Sequence, residues 1–335
     1  MKQKFFSAFI FSLFALLLSV IALYGSYRYL VFTALDEEAL GLKFSIAKGD
    51  NLKQITHQLS KKQLIRSALG FEIYARLRGF ENQLQSGEYS LTAAMSSDQI
   101  LMRLVSGEVI RYKITVPEGK RFADFWQQLR QHPKIISALA NPAALAQELG
   151  LSEVSQLEGQ FLPETFSFIA GTQDRQIFTQ SYQLMQRYVN QQWQQFGQQS
   201  LLDSPQEVLI LASIIEKETG LRAEQPRIAG VFLNRLQRGM RLQTDPTVIY
   251  GLGDEYQGDI KYEHLRRDTP YNTYTRFGLP PTPIALPGRH AIDAVLQPQQ
   301  HQELYFVSRG DGSHVFSKSY EQHQQAVNEY QLKRK

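Results

Sequence analysis

SPQEVLILASIIEKETG, residues 204–220, spells a helix together with its start and stop signals. Ser204 and Glu207 stand in the S-x-x-E spacing of a capping box, and Pro205 takes the first helical position, where a missing N–H is tolerated. Gly220 is the expected left-handed stop. At 100° per residue, Val208, Ile210, Leu211, Ala212, Ile214 and Ile215 share one broad arc, while Ser213, Glu216 and Lys217 share the opposite, solvent-facing one. Glu218 breaks the pattern, because it falls within the apolar arc. A carboxyl desolvated there, at the negative end of the helix dipole, has its pKa raised. That is how a glutamate becomes a general acid near neutral pH. A structural reading of the same residue is also open, in which Arg227, Arg235 or Arg241 neutralises it as an ion pair.

Downstream, residues 225–237 predict a partner helix closing near Gly239, so that the two helices make an αα-hairpin. The next segment begins LQTDPTVIYG at Leu242 and runs to Pro287, rich in Thr, Pro, Tyr, Asn and Gly and poor in helical periodicity. So long a loop region in a compact domain is usually functional. Tyrosines offer flat apolar faces for pyranose stacking and hydroxyls for hydrogen bonds. The candidate sugar-binding wall is therefore Tyr250, Tyr271 and Tyr274, with Gln243, Thr244, Asp245, Asn272 and Thr273 as polar contacts. Glu164, in the aromatic loop EGQFLPETFSF (158–168), is a further acid for the same site. Each tyrosine taken singly also reads as packing, and Asp245 before Pro246 also reads as a turn residue or helix cap.

The whole chain has 335 residues, a formal net charge of +4 and no cysteine. That length holds two compact domains and an appendage. Lysines and arginines are dispersed, which argues against a nucleic-acid partner. H-E-x-x-H, P-loop, G-x-G-x-x-G and G-x-S-x-G patterns are absent, and the seven histidines show no ligand spacing. Neither a metal nor a cofactor is expected. After Lys2 and Lys4 comes FFSAFIFSLFALLLSVIALYGSY, uncharged until Arg28. About 20 apolar residues cross the ~30 Å hydrocarbon core, and no small-residue cleavage site follows. The reading is a signal anchor in the cytoplasmic (inner) membrane, crossing once. Lys2 and Lys4 place the N-terminus in the cytoplasm and the remainder in the periplasm or otherwise outside.

Residues 43–109 predict a small α/β module: a strand at 44–47, a Gly49-Asp50 turn, helices at 52–59 and about 67–78, a strand at 87–91 and a helix from Ser96. Its start, FSIAKGDNLKQITHQL, resembles the LysM glycan-binding signature, with an unrelated strand–turn–helix as the alternative. From Tyr112 a larger domain opens with a strand. Helices follow near 122–130, 143–149 and 174–196, then the hairpin helices, a β-hairpin around Asp311-Gly312 and a polar helix from about Ser319.

Five blocks in order, ASIIEKET, the helix containing VFLNRL, GMRLQTDPTVIYG, TPYNTYTRFGLPPTPI and the LYFV/HVF hairpin, resemble the YceG-like endolytic murein transglycosylases from about Lys43 to the C-terminus. The resemblance implies an α+β protein with an N-terminal transmembrane helix, a LysM-like module and a larger mixed α/β catalytic domain. The corresponding boundaries are 1–33 for cytoplasmic stub and anchor, 34–42 for a linker, 43–110 for the module and 111–335 for the catalytic domain. It further implies peptidoglycan strands as substrate, proximity to peptidoglycan synthases, and Glu218 as the catalytic acid/base, the residue the helix-face argument also selects. The lyase outcome, a 1,6-anhydro-MurNAc end, comes from the resemblance, since the residues alone support only glycosidic cleavage. A non-catalytic anchored scaffold and an anchored glycoside hydrolase are the alternatives. Thr282 and Leu286 stand where the commonest family loop has Gly and Asn. If that glycine has positive φ, Thr282 is expected to be strained.

Overall fold

The computed structural model describes residues 2–36 and 40–332. Residues 37–39 of the expected linker, Met1 and the last three residues lie outside the described residues. So do the side chains of Lys2 and Lys4, on which the topology expectation rests. The chain is mixed α/β and divides into two compact units, residues 1–112 with 167–171, and residues 113–166 with 172–335.

The first unit begins with α1 (Lys2–Phe32). Its Phe9–Phe32 stretch of 24 residues is long and apolar enough to cross a membrane, and it is largely exposed, with Val31 near its end buried in the unit's core. β1 (Leu42–Ile46), α2 (Leu52–Lys61), α3 (Ala68–Leu77), β2 (Gly87–Leu91) and α4 (Ser97–Ser106) follow. β1 and β2 pair antiparallel with Phe44 opposite Tyr89, and their alternation buries Phe44, Ile46, Tyr89 and Leu91. Asn51 caps α2 and Ser96 caps α4, each in a reciprocal box with a glutamine three residues on. The inward stripes Leu52, Ile55, Leu59 and Ile100, Leu101, Leu104 close one core over the ladder.

In the second unit lie α5 (Phe122–Arg130), β4 (Ile135–Ile136), α6 (Pro142–Glu148), β6 (Thr172–Gln173) and α7 (Asp174–Phe196). β3 (Arg111–Thr115) and β5 (Thr165–Ile169) each contain a point where the unit boundary falls. Next come α8 (Pro205–Glu218), α9 (Gln225–Gln237), α10 (Asp245–Leu252), α11 (Tyr262–Arg266) and α12 (Arg289–Leu296). The chain closes with the antiparallel hairpin β7 (Tyr305–Ser308) and β8 (His314–Ser317), and α13 (Tyr320–Val327). Ladders are all two-stranded, so helices build the core. α7, α8, α9 and α12 supply most of it, with α12 packed on α7, α8 and α9.

Four sequence expectations change here. α8 has no solvent arc in its middle: every residue from Val208 to Ile215 is buried, Ser213 included. The Ser213 hydroxyl donates to the Ile210 carbonyl at 2.7 Å and accepts from the Ile284 N–H at 2.9 Å, which satisfies it inside the core. α8 ends at Thr219 in an extended conformation, φ −142°, and Gly220 is not left-handed. The capping box is half made, since Ser204 accepts from the Glu207 N–H while the Glu207 carboxylate takes the N–H of Asp203 instead. Finally, residues 242–287 contain α10 and α11 rather than loop alone. Thr244-Asp245-Pro246 is itself a helix start signal, and an eight-residue helix shows little periodicity.

Candidate active site

Glu218 is the last residue of α8, at the point where the helix leaves the core. Its carboxyl opens on a cavity of about 490 Å³ lined also by Gln243, Thr244, Asp245, Tyr274, Arg235 and Tyr305. The Thr244 hydroxyl donates a hydrogen bond to Glu218 Oε1. Burial pushes the Glu218 carboxyl up to about 7 and the negative charge of Asp245 adds to this, against the Thr244 hydrogen bond, which lowers it. Among the described residues no cation pairs with Glu218. The three candidate counterions are engaged elsewhere. Arg227 pairs with Glu303 at 2.5 Å, and Arg241 lies over the Phe277 ring. Arg235 donates to the carbonyls of Leu304 at 2.6 Å, Arg241 at 3.1 Å and Leu242 at 2.9 Å.

The wall facing Glu218 is a tight segment with its own internal bonding. Gln243 has φ +51°, a conformation L side chains rarely adopt and one concentrated at functional sites. It is held by its N–H to the Thr273 carbonyl (3.2 Å) and by Arg235 Nη1 to its side-chain oxygen (3.3 Å). One residue on, the Thr244 N–H donates to Thr273 Oγ1 (3.1 Å), and the Thr247 hydroxyl donates to the Thr244 carbonyl (2.8 Å). Thr244 is thereby presented to Glu218 by a fixed backbone. Tyr274 donates its hydroxyl to Asp245 Oδ1 at 2.6 Å, which places a second carboxylate in the same cavity.

Of the remaining candidates, Asn272 and Thr273 are buried behind this wall. Asn272 Nδ2 reaches the carbonyls of His264, Leu265 and Arg267 and its oxygen accepts the Tyr274 N–H. Both shape the wall and do not line the cavity. Tyr250 and Tyr271 pack edge to face, 4.8 Å apart, with the Tyr250 hydroxyl on Glu158 Oε2 at 3.2 Å and Tyr271 on the Thr282 hydroxyl at 2.8 Å. Glu164 is exposed and paired with Arg289 at 3.2 Å. Thr282 is free of the expected strain, because its φ is not positive. Leu286 is fully buried, with its N–H on the Lys120 carbonyl at 2.7 Å. Glu216, expected on a solvent face, is half-buried and accepts the Gly288 N–H at 3.0 Å. Burial raises its carboxyl too.

Several residues were not legible as part of the site. Arg235, Tyr305, Tyr320 and His323 line the cavity with Glu218, from α9, the β-hairpin and α13, with no shared local spacing. Glu158 is 6% exposed, takes the Phe122 N–H at 2.8 Å and is pushed up to about 7 by burial. It gave no sequence signal beyond lying in an aromatic loop.

A half-buried carboxyl with no cation on it among the described residues, a hydroxyl donor fixed on it and a cavity before it make an arrangement able to hold and release a proton, set on a helical core. Residues 44–329 match the family model of the YceG-like family, and the chain belongs to that family. It is 30% identical, over 86% of its length and 84% of the relative's, to a Bacillus subtilis protein named endolytic murein transglycosylase. A Streptococcus pneumoniae protein of the same name is 28% identical over 96% of this chain, which spans 64% of that relative's length. A crystal structure of a YceG-like protein from Listeria monocytogenes aligns with a TM-score of 0.55 at 30% identity, covering 86% of this chain and all of the other.

Proposed function

We propose that this chain is an endolytic lytic transglycosylase of peptidoglycan and that Glu218 is its acid and base. The observation that carries the role is the position of Glu218: it faces the cavity, has no counterion among the described residues, and is held up at about 7 by burial. A group titrating near 7 is present in useful amounts in both protonation states at neutral pH. Protonated, Glu218 gives its proton to the oxygen linking MurNAc to GlcNAc, and positive charge develops at C1 of MurNAc. Thr244 steadies the carboxylate left behind. That carboxylate then takes the proton of the C6 hydroxyl of the same sugar as its oxygen attacks C1. The products are a 1,6-anhydro-MurNAc end and a free GlcNAc end, with no water consumed. The names of the relatives support the lyase outcome.

Asp245, 2.6 Å from the Tyr274 hydroxyl in the same cavity, favours one second reading. A second carboxylate is what a glycoside hydrolase needs. Mass spectrometry of digested glycan strands separates the two. Anhydro ends support the lyase, reducing MurNAc ends mean the hydrolase, and no release by wild type means a binding scaffold.

The first unit is read as the LysM-like module. Support comes from its strand–helix–helix–strand order and from a groove of about 580 Å³ lined by Asp50, Asn51, Lys53, Arg76 and Asn82, polar enough for a glycan. α1 is read as a single-pass anchor of the cytoplasmic membrane with its N-terminus inside, which puts the cavity where nascent strands and their synthases are. The boundaries 1–33, 34–42, 43–110 and 111–335 express this organisation.

A further inference from the structure

α3 is amphipathic in two directions. Phe71, Tyr74 and Ala75 enter the core of the first unit. On another side, Leu69, Ile73 and Leu77 form an i, i+4, i+8 row that is 66%, 47% and 74% exposed. Isolated surface leucines need no explanation, but a three-residue apolar row along one helix does.

The position of α3 supplies the explanation. It packs on the end of α1. The Tyr74 ring lies 6.1 Å from Tyr27 and 6.0 Å from Phe32, Arg66 Nη1 donates to the Tyr29 hydroxyl at 2.9 Å, and Gly70 lies against Leu30. Every one of these partners lies between residues 27 and 32. The uncharged run between Lys4 and Arg28 is just long enough for a hydrocarbon core of about 20 residues. Its far edge therefore falls near residues 24–27, where Tyr24, Tyr27 and Tyr29 form an interfacial aromatic belt. With a rise of about 1.5 Å per residue, residues 27–32 occupy the first ~10 Å beyond the hydrocarbon, which is the headgroup layer. A helix fastened there holds its free face against lipid. Arg66, Arg76 and Arg78 flank the row against one acid, Glu72, which suits anionic headgroups.

We propose that α3 is a membrane-docking helix, with Leu69, Ile73 and Leu77 inserted in the interfacial layer of the leaflet that α1 enters, so that the module rests on the bilayer rather than swinging from a tether. This rests on the reading of α1 as a transmembrane anchor. One consequence is that the groove sharing Arg76 with this helix stays close to the membrane, within reach of glycan still attached to its lipid carrier.

The chain has no cysteine, so single-cysteine variants carry one nitroxide each. The full chain is reconstituted in vesicles of phosphatidylethanolamine and phosphatidylglycerol with labels at positions 69, 73 and 77, at Leu17 within the span, and at the exposed Lys61 of α2. Accessibility to oxygen relative to a water-soluble nickel chelate is then measured. At position 73 the ratio is expected to exceed that at position 61 by roughly five-fold or more, with position 69 or 77 following it, as for an interfacial helix. If position 17 is in lipid while 73 matches 61, the anchor stands and the docking helix is overturned. Position 73 shielded from both reagents also overturns it, because another protein surface then covers the row. A water-like position 17 refutes the anchor itself, and the docking proposal with it.

Discussion

The Thr244 hydroxyl donates to Glu218 Oε1, across a turn in which Gln243 is left-handed. Two residues 26 positions apart thus meet because α8 ends and α10 begins at the same cavity. The hydrogen bond lowers a carboxyl that burial has raised, so the two effects set the working pH between them.

Glu218→Gln leaves the donor–acceptor geometry with Thr244 largely in place and removes the proton. Glycan cleavage should fall by about 10³-fold or more, with a melting temperature no lower than wild type at pH 7, since a buried carboxyl becomes a neutral amide. Anhydro-end counting and a thermal melt read the two quantities. Cleavage at wild-type rate refutes the assignment.

Thr244→Val keeps the shape and deletes the donor, so Glu218 holds its proton more tightly. The alkaline limb of the pH–rate profile, where the acid is lost, should move up by about one pH unit, because a hydrogen bond to a charged group is worth about 1.5–3 kcal/mol. Thr244→Ser should return the limb to its wild-type position. An unmoved limb in the valine variant means the hydroxyl does not act on Glu218.

Glu158 couples stability to pH. Its native carboxyl sits at about 7, above an unfolded value of 4.5, so between these values the native state binds more protons than the unfolded one. Stability is therefore full below about pH 4.5, declines as pH rises towards 7 and levels off above it, a loss on the order of 3 kcal/mol for this nearly enclosed group. Glu158→Gln should remove roughly half of the decline seen in urea melts at pH 5, 6, 7 and 8, because Glu218, also held at about 7 by burial, contributes a similar share. Equal slopes in the two proteins would remove Glu158 as its source.

Ser213→Ala leaves the buried Ile284 N–H without its acceptor, and should destabilise the domain by about 1–3 kcal/mol. Denaturant titration measures this, and a change below a few tenths means the N–H finds another partner.

Much of the local structure was written plainly. The bounds of α9 and β2 match the expectations residue for residue, because a left-handed Gly239 after the helix and clean alternation of apolar residues in the strand are local properties. α12 was not anticipated: Arg289–Leu296 is eight residues long, too short for periodicity to stand out, and it exists by packing on α7, α8 and α9. Ser213 was misplaced for a related reason. A helix surrounded by other helices buries its polar residues too, provided each finds a partner, and the partner here is 71 positions away.

The sequence by itself determined the anchor-like first helix, the capped helix ending in a carboxyl on its apolar side, and the family pattern around it. These depend on neighbours within a few turns. Only the tertiary structure decided that Glu218 has no counterion among the described residues, that Thr244, Asp245 and Tyr274 reach its cavity while Asn272 and Thr273 turn inward, and that Glu216 is partly buried. Those outcomes depend on which distant groups exclude water and which donors are already taken, and no local spacing encodes either.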